Sequence, residues 1–192
     1  MARARRGAAV TRTAIPKPKL IAVDGIEASA VQAAAKAALA ASTPRAPEAR
    51  GGISRWDASG IFQDLAVADD EAGVPSARTL LLLYAADLAF RLRWQIRPAL
   101  AEGRTVVAAP YVDTALAFGR AAGLKPSWLM NLFRFAPRPQ QRRFAPARPA
   151  QAAAVKGGFI GFSGARMAGG SAAARRKIAA QTAIELRRRF DR

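Results

Sequence analysis

Apolar residues follow two rhythms along this chain, and the sharpest change between them lies near its start. Leu20, Ile21, Ala22 and Val23 form a continuous apolar run, Asp24 and Gly25 interrupt it, and from Ala28 to about Ala41 nearly every residue is a good helix former. This predicts a buried strand, a tight turn and a helix. The longest helix is predicted from a Ser76 cap to about Ala101, because Leu80 to Leu83, Leu88, Phe90, Leu92, Trp94 and Ile96 leave few polar faces. Pro98 is expected to kink its last turn and Gly103 to stop it. Thr105 to Ala109 reads as a second buried strand. A helix from Asp113 to Ala122, closed by Gly123, and another from Pro126 through Phe135 follow.

Elsewhere the rhythm fails. Ser42 to Gly52 shows no apolar alternation, so no strand is expected there. Ser54 to Asp57 leads toward a helix with Ser59 as its cap and Ile61, Phe62, Leu65 and Ala66 at helical spacing. That helix ends in Asp69, Asp70 and Glu71, which read as a solvated loop rather than a Mg²⁺ site. Ala136 to Pro149 carries four Pro and four Arg and reads as an extended basic linker, not a strand. After a Gly-rich, aromatic stretch from Gly157 to Gly164, a basic helix capped by Ser171 is predicted to run to about Phe190. Two convincing parallel strands remain, and a parallel pair needs cover on both faces, from helices or from a second copy of the chain.

The strand, turn and helix at 20 to 36 have the layout of a phosphate-binding loop, GxxxxGK[ST]. There, glycines let backbone N–H groups close around phosphate, Lys reaches the β/γ-phosphates and a hydroxyl holds Mg²⁺. Counted from Gly25, the second Gly position is Ala30, the Lys position is Val31 and the Ser/Thr position is Gln32. The scaffold is present without its chemistry. A second run, Gly164 to Ser171, has the GxxxxG spacing and the Ser, but Gly170 stands at the Lys position, and such spacing arises easily by chance in a Gly-rich chain.

Val23-Asp24-Gly25-Ile26-Glu27 resembles the opening of the thymidylate kinase family. In the same order as that family's central block come Leu81 to Asp87, Ile96-Arg97-Pro98-Ala99-Leu100, Gly103, Val106-Val107 and Tyr111-Val112-Asp113. The resemblance covers about residues 20 to 135. It implies an α/β, helix-rich, reduced P-loop kinase-like three-layer fold with a small parallel sheet, and a family reaction in which ATP with Mg²⁺ phosphorylates dTMP to dTDP. It also implies what is missing. Asp24, Gly25, Glu27, Ala28, Ser29, Ala30, Val31 and Gln32 form a degenerate loop. Of the family's Arg-Glu-Pro-Gly-Gly only Arg50, Gly51 and Gly52 echo. Asp-Arg-Tyr has become Ala109-Pro110-Tyr111, the Tyr-Gln pair that reads thymine corresponds to Phe118 and Gly119, and the Arg after Ala-Asp is Leu88. Arg50, Tyr111, Asp113 and Phe118 are the positions left for nucleotide contact. No residue is assigned a catalytic role, and no metal site or cofactor is assigned beyond ATP and Mg²⁺ by resemblance. Family members dimerise by helix packing, which makes the helix from 76 to 101 the expected homodimer interface.

Composition then removes alternatives. With no Cys and no His, the chain has no thiol nucleophile, no imidazole base and no usual zinc site. No apolar run is long enough to span a bilayer, and the Arg-rich start lacks the apolar core of a secretory signal, so a cytoplasmic protein is the default expectation. The net charge of +18 is unevenly distributed. Residues 1 to 19 hold six basic and no acidic residues, 20 to 135 twelve against eleven, and 136 to 192 thirteen against two. The expected organisation is a basic disordered tail (1 to 19), a kinase-like core (20 to 135), a Pro/Arg-rich linker (136 to 156) and a Gly-rich segment with a basic helix (157 to 192).

Three readings follow. The first is an inactive thymidylate-kinase-like protein that binds a protein partner or a nucleotide. The second is a nucleic-acid-associated protein acting non-specifically through its basic ends. The third is a divergent, active nucleoside monophosphate kinase using Lys36, Arg50, Arg55 or Arg78 as substitute cations.

Overall fold

The computed structural model describes residues 18–42, 51–62, 75–146 and 172–191. Four strands alternate with helices: β1 (Leu20–Gly25), α1 (Ala28–Ser42), β2 (Gly52–Arg55), α2 (Ala77–Arg91), α3 (Arg97–Ala101), β3 (Val106–Ala109), α4 (Val112–Ala121), α5 (Pro126–Leu132), β4 (Gln141–Ala145) and α6 (Ala172–Phe190). The strands form one sheet in the order β2-β3-β1-β4, with every pairing parallel.

The central strands are buried on both faces, and alternation divides their side chains between two cores. Leu20, Ala22, Val106 and Ala108 face the larger core with α2, α4 and α5. Ile21, Val23, Val107 and Ala109 face α1, where Val31, Ala35 and Ala38 close the layer. α6 covers the outer side of α4, its Leu186 buried with Ile26 and Ala117. The result is the expected helix-rich, three-layer α/β fold with a small parallel sheet.

Two strands form where none was expected. Gly52–Arg55 pairs with β3 from Gly52↔Val106 to Arg55↔Ala109, anchored by Gly52 N–H on the Thr105 carbonyl at 3.0 Å. The stretch expected to lead into a helix is strand through Arg55; helix begins at Ile61 and Phe62, and Leu65 and Ala66 lie outside the described residues. Ser59, expected as the cap, is turned to another partner. Its N–H and hydroxyl bond the Asp87 carboxylate, while the Asp57 carboxylate accepts from Phe62 N–H at 2.8 Å. Gln141–Ala145, inside the expected linker, pairs with β1 from Ile21↔Gln141 to Gly25↔Ala145. Its prolines lie outside the pairing, and backbone hydrogen bonding to β1 needs no apolar run. Only Ala145 of this strand is fully buried, which hides it from a hydrophobicity reading.

The Ser76 cap is present, its hydroxyl accepting from Thr79 N–H at 3.1 Å. The helical path continues from Ala77 to Ala101 as expected, but its irregularity precedes Pro98: Leu92–Ile96 is a π turn. The tail before residue 18, Arg50, the acidic cluster at 69 to 71, the Gly-rich stretch from 157 and the Ser171 cap lie outside the described residues.

Candidate functional site

The carboxyl ends of β1 and β3 carry the site the sequence points to. Only Ile26 and Glu27 separate β1 from α1, and Val31 N–H already bonds the Glu27 carbonyl at 3.0 Å. The chain passes from strand to helix without a loop that could wrap a phosphate. A Cβ placed on Gly25 would stand 2.7 Å from both the Ala145 carbonyl oxygen and the Val31 Cγ2. The turn is thus packed shut from two sides. Thr114 pins it from a third, with its Oγ1 accepting from Gly25 N–H at 3.1 Å.

Val31, at the Lys position, is 4% exposed and belongs to the core under the sheet. Gln32, at the hydroxyl position, is exposed, as are Ala28 and Ser29, and Ala30 is half-buried. Glu27 places a carboxylate at the amino end of α1 and receives a hydrogen bond from the Ser29 hydroxyl. An anion at this end of a helix is favoured by the dipole, and the other Glu27 oxygen is buried without a hydrogen-bond partner.

Beside the turn lies a cavity of about 210 Å³ whose walls include Val31, Ile53, Trp56, Ala109 and Pro110, with Arg55 the single charged residue among the described lining residues. Burying a multiply charged phosphate among such groups is strongly unfavourable. Among the described residues there is also no cluster of three or more acidic groups to hold a metal. The residues present do not fit ATP with Mg²⁺.

Asp24 ends β1 in full burial. Its Oδ1 accepts from Tyr111 N–H at 2.9 Å and Thr114 N–H at 3.0 Å, while Oδ2 has no hydrogen-bond partner. Burial first, and the neighbouring Asp113 second, push its pKa up to about 6. Asp113 in turn holds two guanidinium groups, Arg142 on Oδ2 and Arg189 on Oδ1, each at 2.7 Å.

The other positions of interest are drawn into the framework. Tyr111 is buried, its hydroxyl donating to the Pro137 carbonyl at 2.7 Å and its own carbonyl accepting from the Tyr84 hydroxyl. Burial raises the pKa of both phenols. Phe118 is fully buried. A Cβ on Gly119 would collide with the Leu129 Cδ2 and stand 3.0 Å from a Leu81 methyl, so the place of the base-reading Gln is filled by core. Leu88 is likewise core. Of the suggested substitute cations, Lys36 is exposed on α1, Arg55 lines the small cavity and Arg78 stacks on Trp128 at 5.1 Å.

Sequence reasoning missed Arg91. It is fully buried, donating from Nη2 to the Ser54 carbonyl at 2.7 Å and the Pro110 carbonyl at 3.0 Å, and from Nε to the Ser54 hydroxyl at 3.0 Å. Asp87 stands one turn earlier at 3.9 Å and accepts from Asp57 N–H and Ser59 N–H. Arg91 thereby ties the ends of β2 and β3 to α2. Its signal was available in the spacing of Tyr84, Asp87 and Arg91 on one helical face.

No protein-family profile matches the chain. Over 58 residues it is 45% identical to a probable thymidylate kinase of Pyrococcus abyssi and, equally, to one of Pyrococcus horikoshii. The matched segment is 30% of this chain and spans 28% of the length of those relatives. The fold is similar to the crystal structure of thymidylate kinase from Ehrlichia chaffeensis, with a TM-score of 0.59, 16% identity, and coverage of 68% of this chain and 72% of that one. The resemblance to thymidylate kinases therefore stands on the sequence match, and the helix-rich P-loop kinase-like α/β fold on the structural one.

Proposed function

We propose that this thymidylate-kinase-like chain is a binding protein that no longer transfers phosphate. The observation that carries the reading is the turn after β1. Helix α1 begins at Ala28, and the side chain at the Lys position, Val31, is core instead of reaching a ligand. Phosphoryl transfer depends on positioning and on charge placed around the transferred group. Removing one well-aimed donor commonly lowers the rate by about 10²–10³, and here several supports are replaced by apolar groups. Of the cations suggested for the divergent-kinase reading, Arg78 is engaged on Trp128, Lys36 is exposed and Arg50 lies outside the described residues, which leaves Arg55 alone beside the turn. The nucleic-acid reading rests on basic ends that lie largely outside the described residues.

The partner we propose is a second copy of the chain, packed along the helix from 76 to 101. Leu82, Phe90 and Trp94 are exposed on that helix, Trp94 by 62%. The family resemblance names the same element.

A coupled assay with ATP, Mg²⁺ and dTMP tests the reading, together with a thermal-shift series in ATP, dTMP and dTTP. Turnover no faster than a kinase-free blank is expected. Clear turnover that disappears with a Gln32→Ala or Arg55→Ala variant would overturn it. The thermal series separates retained nucleotide binding from none, because any ligand of the folded state raises the melting temperature by mass action.

A further inference from the structure

We propose that the chain carries an anion site away from the closed β1–α1 turn, suited to a small ligand with a diphosphate or similarly charged phosphate group. A cavity of about 490 Å³ opens between the start of α4, the end of α5, the segment 133–139, β4 and α6. Four arginines from three parts of the chain line it: Arg134 and Arg138 after α5, Arg142 on β4 and Arg189 on α6.

Asp113 is the only acid among the described lining residues, and both its oxygens are taken. Arg142 Nε and Nη2 bond Oδ2 at 2.7 Å, and Arg189 Nε and Nη2 bond Oδ1 at 2.8 and 2.7 Å. Arg142 also donates to the Arg189 carbonyl at 3.2 Å and stacks over Phe190 at 4.7 Å. The two guanidinium groups are thus held side by side, with side chains still 43% and 26% exposed. Arg134 and Arg138 are exposed and form no ion pair among the described residues.

Among the described residues, four cations therefore line one concavity with a single carboxylate, which only two of them contact. Like charges so placed repel, and a multiply charged anion relieves that repulsion. Arginine's planar fork matches phosphate oxygens and stays charged at any physiological pH. Leu116, Met130 and Phe133 supply an apolar wall for the rest of the ligand. The cavity lies in the size range of small-molecule sites, which favours a small phosphate compound over a polymer backbone. The proposal does not depend on the closed turn being inactive.

Calorimetric titration of the full chain with inorganic pyrophosphate, at near-physiological salt, tests it. The wild type is expected to bind, the double variant R134A/R138A to bind at least about tenfold more weakly, and Gln32→Ala to bind unchanged. Both arginines are exposed, so their loss leaves the fold intact. Absence of heat up to millimolar pyrophosphate would overturn the proposal, as would binding untouched in R134A/R138A. A short single-stranded oligonucleotide that binds through Arg134 and Arg138 where pyrophosphate does not would also overturn it.

Discussion

Asp24 offers a test with little background. The chain has no His and no Cys, so a change in stability between about pH 5 and pH 8 is carried chiefly by a carboxyl whose pKa the fold has raised. The native value is about 6 against an ordinary 3.8. Between those values the folded chain keeps a proton that the unfolded chain has released, so stability falls as pH rises through the window and levels off above it. The full difference is about 3 kcal/mol. About half of it is lost below about pH 5, leaving roughly 1–1.5 kcal/mol between about pH 5 and pH 7.5. For a chain of this size that is a fall of about 2–4 °C in melting temperature. Asp24→Asn keeps Oδ1 as acceptor for the Tyr111 and Thr114 amides but removes the titration. Thermal unfolding across this range should show the wild type losing those few degrees while Asp24→Asn stays flat. Parallel slopes for the two proteins would refute the reasoning, because the pH dependence would then belong to another group.

Three further outcomes are expected. Gly119→Ala drives a methyl into the Leu129 and Leu81 side chains and should destabilise the fold by about 1–3 kcal/mol in urea unfolding. Arg91→Met leaves the Ser54 and Pro110 carbonyls without their donor and Asp87 without its cation, so a loss of about 3 kcal/mol is expected from the same measurement. Trp94→Glu places a charge on the exposed stripe of the long helix. Light scattering should find a dimer for the wild type at micromolar concentration and a monomer for the variant, and a monomeric wild type would remove the homodimer proposal.

The central framework is legible in the sequence because its signals are local. Leu20 to Val23 and Thr105 to Ala109 are short apolar runs beside helices with clear stops, and Ser76, Gly123 and Pro126 mark their boundaries by backbone chemistry alone. The missing phosphate chemistry was legible for the same reason: Val31 and Gln32 cannot supply an ammonium or a metal-holding hydroxyl in any conformation. What tertiary structure alone decided is where polar residues go. β2 and β4 are strands because β3 and β1 offer them backbone partners, and edge strands satisfied that way need no apolar pattern. Arg142, in a stretch that reads as an extended basic linker, becomes part of the core's rim once Asp113 is brought to it across 29 residues. The repulsion between Asp24 and Asp113, the burial of Arg91 and the arginine-lined cavity all join residues far apart in the chain. Charge interactions depend on distance in space, and sequence spacing says little about that beyond one helical turn.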